Sequence, residues 1–364
     1  MRSAGVVAPY KMHGGIVLLS NQKSKWITYL LAVFLCTVFI LTAGLTPSGR
    51  KLPGDDRMGP LNIASDIQTA ADMLIGNAVN SAVGEQKVRF LPMNNLPCPK
   101  PSVDKYGSYV DDGGITHETY LDESISVDYW SFYAVGDYSY GTLHAAKVKI
   151  AHPTQLRTAF AGGAYGTEIR TVGEIAMGVN AVVAINGDYY NYPNAIGVVL
   201  RNGALYSDNP RPDCISLVID SAGDLRMADT AEFEFNPFYR NPDSNIYQIL
   251  NFGPPLVLEG VAQNVPKPEK GNEYLYLLNP RTVIAQTGPL EYLLLTADGR
   301  TEESPGWLVY DLAVILQNLG CITAYNLDGG QSTGLFFRGE IKNTPFTPRE
   351  RDLGDIVFFA TAVE

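Results

Sequence analysis

Beyond residue 140 the chain is a succession of short apolar runs, each closed by a turn carrying Gly, Asn or Asp, and helical periodicity surfaces in only two stretches. "HAAKVKIA" (144–151) alternates as a strand does when its two faces differ. "AVVAIN" (181–186) is apolar up to its last residue, the pattern of a strand covered on both sides. "IGVVLRNGALY" (196–206) reads as a hairpin turning at Asn202-Gly203, and "CISLVIDSAGDLRM" (214–227) as another turning near Gly223. "RTVIAQT" and "EYLLLTADGR" follow as two more strands. Seven or more strands against two or three packed helices predict an α+β domain with mixed, mostly antiparallel sheets.

Both helical stretches carry start and stop signals. "TVGEIAMGVN" (171–180) opens with Thr171 and Glu174 at capping-box spacing. "SPGWLVYDLAVILQNLG" (304–320) offers Ser304 as N-cap and Pro305 in the first turn. Leu308, Leu312, Ile315, Leu316 and Leu319 form its apolar stripe, and Gly320 supplies the stop. This helix delivers the chain into "CITAYNLDGGQSTGLFF", where an apolar run meets Asp328, breaks over Gly329-Gly330, and presents Ser332 and Thr333 before turning apolar again. A surface hairpin needs only the Asp-Gly pair. The end of a buried strand is where ligand sites gather in layered α/β proteins.

Ahead of the domain, Trp26–Leu45 is a run of 20 residues without a charge, long enough to span a bilayer as a helix. Arg2, Lys11, Lys23 and Lys25 precede it, which predicts a single-pass anchor with a cytoplasmic N-terminus and an extracytoplasmic main domain. A cleaved signal peptide fits less well, because no clear small-x-small site follows. The expected order is therefore a tail (1–25), a membrane anchor (26–45), a Pro- and Gly-rich stalk (46–114) with a helix at 61–83, and a globular domain (115–364). All 38 acidic residues lie beyond residue 45 and the net charge is −11, so no basic stripe is left to neutralise phosphates of a nucleic acid. Of four cysteines Cys36 falls in the apolar run. Cys98, Cys214 and Cys321 leave room for one intramolecular disulfide at most, and none has metal-ligand spacing.

Three polar clusters interrupt the apolar strands: Asn186, Gly187, Asp188, Tyr189, Tyr190 and Asn191; Arg281 with Asp298 and Arg300; and Asn326, Asp328, Ser332 and Thr333. Asn186-Gly187 and Asp298-Gly299 also fit ordinary hairpin turns. Arg281 offers a fork suited to a phosphate or carboxylate, or equally one half of an interstrand ion pair. Gly329-Gly330 would let backbone N–H groups approach an anion, with the neighbouring hydroxyls as further donors. A Walker loop is excluded, since no Lys follows the glycines, and "GGQSTG" lacks the G-x-S-x-G spacing of a nucleophile elbow. His13, His117, His144 and His152 have no H-x-x-x-H or triad context and read as lone surface or core residues.

The ordered set "AVVAINGDYYN", "IGVVLRNG", "FGPPLVLEG", "NPRTVIAQT", "LLLTADGR", "YDLAVILQNLGCITAYNLDGGQSTGLFF" and "RDLGDIVFFATA" resembles the phosphodiester glycosidase family from about residue 140 to the end of the sequence. The resemblance implies hydrolysis of the glycosidic bond in a sugar-1-phosphodiester of an envelope or extracellular glycan. Carried over by motif, it implies Asn186, Gly187, Arg281, Arg300, Gly329, Gly330, Ser332 and Thr333 as substrate-binding residues. It also implies Asp328, Asp188 and Asp298 as catalytic carboxylates, one of them activating water or stabilising an oxocarbenium-like transition state. Asp188 stands where many relatives have Gly, and Gln331-Ser332-Thr333 replaces a longer glycine run with two serines. No cofactor is required on this reading, although the acidic turns at 111–112 and 298 could give oxygens to a divalent cation such as calcium. The alternative with the same fold is a non-catalytic glycan-binding or exopolysaccharide-assembly protein.

Overall fold

The computed structural model describes residues 96–188, 197–212, 214–232, 239–241, 244–264, 273–347 and 349–363. The strands in chain order are β1 (Tyr106–Val110), β2 (Thr116–Leu121), β3 (Ile125–Val135), β4 (Tyr140–Ile150), β5 (Leu156–Phe160), β6 (Val183–Asn186), β7 (Gly197–Arg201), β8 (Ala204–Asn209), β9 (Ile215–Asp220) and β10 (Leu225–Asp229). They continue with β11 (Ile246–Leu250), β12 (Pro255–Leu258), β13 (Val261–Ala262), β14 (Arg281–Gly288), β15 (Glu291–Ala297), β16 (Thr323–Asn326), β17 (Leu335–Phe337), β18 (Glu340–Ile341) and β19 (Asp355–Phe359). Two α-helices occur among the described residues, α1 (Val172–Gly178) and α2 (Val309–Asn318).

The strands form a nine-stranded sheet in the order β1-β2-β3-β4-β15-β14-β16-β12-β13 and two five-stranded sheets, β10-β9-β11-β7-β8 and β18-β17-β6-β19-β5. Every strand pair among the described residues is antiparallel, which bears out the α+β expectation. The period-2 alternation of each strand explains the continuous apolar runs. On β14, Ile284 enters the core between the large sheet and the two small ones, while Val283 and Ala285 pack under α2. On β6 and β19, Val183, Ile185, Val357 and Phe359 join that same central core, and Ala184, Ile356 and Phe358 pack against α1 on the outside. A strand with apolar neighbours on both faces has no face left to make polar.

Both predicted hairpins form, with Asn202 at φ 51° and Gly203 at φ 81°, and Gly223 at φ 85°. The capping box of α1 also forms, Thr171 accepting from the Glu174 N–H. Two expectations are corrected. The first sheet begins ahead of Ile115: the "VDDGG" segment read as linker is the turn between β1 and β2, closed by Ile115 N–H donating to Asp111 Oδ1 at 2.8 Å. Ser304 does not cap α2. Residues 304–308 run extended beside Asn279 and Tyr140, and Ser304 Oγ donates to the Asp298 carbonyl instead. Trp307 N–H donates to the Asn279 carbonyl at 2.9 Å, so this stretch is taken up by bridge pairing rather than a helical turn. Leu308 takes the N-cap position, without a side-chain cap bond, and Leu312 and Leu316 carry the buried stripe. Cys98, Cys214 and Cys321 are all buried and free. No described helix is long and apolar enough to cross a membrane; Trp26–Leu45, the 61–83 stretch and Tyr189–Asn191 lie outside the described residues.

Candidate active site

Antiparallel register places the site. Asn186, the last residue of β6, pairs with Ile356 of β19, and Asn326, the last of β16, pairs with Val283 of β14. The outgoing ends of β6 and β16 therefore meet the incoming ends of β19 and β14. Asn186 ties them together. Its Oδ1 accepts from Thr282 Oγ1 at 2.7 Å and from Gly334 N–H at 3.2 Å, and its Nδ2 donates to the Asp328 carbonyl at 2.7 Å. With 1% of its surface exposed, Asn186 is a knot that orients Asp328.

Asp328 leaves β16 into a loop that folds back on itself. Its Oδ1 accepts the Gly329 N–H at 2.8 Å. Burial pushes its carboxyl up to about 6, against opposing pulls from a Ser332 hydrogen bond, the Gly329 N–H and the Arg351 charge. Only glycine fits at 329, because a Cβ would sit 2.7 Å from the Pro280 carbonyl oxygen, and Gly330 has φ 63°. The amides expected to cradle an anion are already engaged: Gly330 N–H donates to Pro280 O, Ser332 N–H to Gly329 O and Thr333 N–H to Gly330 O. The loop offers other donors. Thr333 Oγ1 is buried without a hydrogen-bond partner. Arg351 Nη1 lies 3.4 Å from Ser332 Oγ, and Arg300 Nη2 lies 3.1 Å from where a Gly330 side chain would begin. Two guanidinium groups thus flank the Asp328 loop, and Arg351 was not among the residues picked from sequence.

Asp188 is placed differently from a free catalytic carboxylate. Its Oδ1 pairs with Arg201 Nη2 at 2.9 Å and its Oδ2 accepts from Asn251 N–H at 2.8 Å. Arg201 Nε reaches Asp355 Oδ2 at 2.8 Å, and all three side chains are 1% exposed or less. One buried guanidinium thus faces two buried carboxyls. Burial, joined by the Asp188 charge, raises the Asp355 carboxyl well above its usual range. Gly187 is packed against the same group, since a Cβ there would fall inside the Asp355 carboxylate. The sequence carried a signal for this triad: Arg201 ends a fully apolar strand and Asp355 begins one.

The remaining sequence-picked residues split. Arg281 is buried, its guanidinium donating to the carbonyls of Trp307 at 2.9 Å, Leu277 at 2.8 Å and Leu275 at 3.4 Å, so it braces the Leu275–Leu277 segment. Arg300 stays exposed, donating to Asn279 Oδ1 and lying over the Phe346 ring. Asp298 accepts from Thr344 N–H at 2.9 Å and sits 3.2 Å from His144 Nε2, while His144 Nδ1 is 2.9 Å from the Tyr129 hydroxyl. The described histidines are therefore not lone residues. His144 bridges Tyr129 and Asp298, His117 lies 2.7 Å from Asp128, and His152 caps a turn by accepting from Thr154 N–H. Among the described residues no group of three or more His, Cys, Asp or Glu is placed to hold a metal ion.

Fold and site define an antiparallel α+β domain with a buried carboxylate loop between two arginines, set where strand ends converge. The phosphodiester glycosidase family profile matches residues 179–360, half of the sequence and all of that convergence. The chain belongs to the phosphodiester glycosidase family. It is 26% identical over 196 residues to an uncharacterized SPbeta prophage-derived protein of Bacillus subtilis, covering 52% of this chain and 30% of that one. It is 24% identical over 194 residues to the N-acetylglucosamine-1-phosphodiester alpha-N-acetylglucosaminidase of Mus musculus, covering 51% and 37%. The chain thus spans about a third of the length of these curated relatives. The zebrafish enzyme of the latter name, in its catalytic domain auto-inhibited by pro-peptide, has the same fold. It superposes with a TM-score of 0.54 at 18% identity, over 76% of this chain and 99% of that one.

Proposed function

We propose that the chain hydrolyses the glycosidic bond of a sugar-1-phosphodiester, releasing the sugar and a phosphomonoester. The observation that carries this is the Asp328 loop: a buried carboxyl beside two hydroxyls, flanked by the Arg300 and Arg351 guanidinium groups. Guanidinium groups suit the planar, bidentate recognition of phosphate oxygens. The phosphomonoester departs as a stable anion, so donors aimed at its oxygens supply acceleration without a strong general acid. Asp328, as the carboxylate, then activates water or stabilises positive charge at the anomeric carbon. Asp188, Arg201 and Asp355 hold the wall behind it, and Asn186 fixes the Asp328 backbone.

The test incubates the full chain with a panel of sugar-1-phosphodiesters that includes an N-acetylglucosamine diester. Free sugar and phosphomonoester are read by mass spectrometry, with Asp328→Asn alongside. Release that disappears in the variant supports the glycosidase. A folded chain that binds glycan and releases nothing from any diester reassigns it to glycan binding. We also propose that residues 26–45 anchor the domain outside the membrane, on the strength of their uncharged length and the basic tail before them. Alkaline carbonate extraction that leaves the chain soluble would remove the anchor.

A further inference from the structure

The candidate site has an uneven rim. On the Arg351 side the neighbours are charged: Arg349, Glu350 and Asp352 are exposed or half-buried. On the Arg300 side they are apolar and open to solvent. Leu277 is 57% exposed, Leu278 38% and Phe346 44%. Single exposed apolar residues are ordinary on any surface. Phe346 adjoins the anion-binding groups through direct contacts, and Leu277 and Leu278 immediately precede Asn279 in the chain. Arg300 stacks over Phe346 at 5.2 Å and donates to Asn279 Oδ1 at 2.9 Å, and the next residue, Pro280, accepts the Gly330 N–H at 2.9 Å.

Nor are the leucines free to turn inward. The buried Arg281 guanidinium holds the carbonyls of Leu275 and Leu277 from below, which fixes the segment against the domain and leaves Leu277 and Leu278 facing outward. The ligand nearest to that segment, on the reading above, is the phosphodiester itself.

We propose that Leu277, Leu278 and Phe346 form an aglycone subsite that takes an alkyl, lipid-like chain attached to the phosphate on the Arg300 side. The assignment rests on the phosphodiester reading. The sugar would then lie toward Asp328 and the apolar chain would leave over Phe346, with the diester oxygens between Arg300 and Arg351.

The test measures kcat/KM of the full chain on methyl, butyl and hexyl diesters of N-acetylglucosamine-1-phosphate, all short enough to stay monomeric. The expected result is a rise of up to about fourfold for each methylene covered, levelling off once the chain outgrows the rim. The Leu277→Ser/Leu278→Ser variant is expected to lower the hexyl-to-methyl ratio toward one. Val103→Ser, at an exposed apolar position ahead of β1, is expected to keep the ratio. Turnover of all three diesters at equal efficiency overturns the subsite and leaves the glycosidase standing. No release from any of them overturns both.

Discussion

Asp328→Asn is expected to stabilise the protein above neutrality while abolishing turnover. The carboxyl titrates at about 6 in the folded chain against an ordinary 3.8, with burial as the chief cause. Between those values the folded chain retains a proton that the unfolded chain has released, so stability falls as pH rises through that window. The full cost is in place above pH 6. A difference of about 2 pKa units corresponds to about 3 kcal/mol of ionisation cost. Asparagine cannot ionise, and its Oδ1 still accepts the Gly329 N–H, so the variant escapes the whole cost at pH 8 and only a small part of it at pH 4. The assay is urea denaturation of wild type and variant at both pH values, comparing the two differences so that other titrating groups cancel. A gain of about 1–3 kcal/mol at pH 8 that shrinks to a small fraction at pH 4 is expected. An equal effect at the two pH values would refute the argument that Asp328 is ionised against its own burial.

Three further outcomes are expected. Arg201→Met leaves two buried carboxyls without their cation and should cost about 3–5 kcal/mol, read as a lowered thermal midpoint; adding Asp355→Asn should recover part of it, and strictly additive losses would dissolve the triad as a unit. With Asp328 acting as a carboxylate, kcat/KM should rise about tenfold per pH unit up to about pH 6 and then level; a rate that falls through the same range gives Asp328 the acid role. Arg351→Gln should raise KM for a diester by about tenfold to a hundredfold, and an unchanged KM removes Arg351 from the phosphate.

The sequence alone determined the element types and singled out the candidate loop. Period-2 and continuous apolar runs named the strands, Asn202-Gly203 and Gly223 named the turns, and Thr171 with Glu174 named the start of α1. The odd grouping of Asp328, two glycines and two hydroxyls after a buried strand marked the loop that the fold places among arginines. These features are local, set by backbone sterics and side-chain period within a few residues. What each polar residue does was decided only in three dimensions. Arg281 and Arg300 are equally good anion ligands on paper. Yet one lies under the Leu275–Leu277 carbonyls and the other stands in solvent beside Gly330. Asp188 turned out to be held from both sides, by an arginine at the end of another strand and the amide of the residue just after a third. His144 found Tyr129 and Asp298, and Ser304 gave up its cap because Gly306 and Trp307 pair with Tyr140 and Asn279. Desolvation and partner geometry fix these roles, and both depend on which distant segments the sheets bring together.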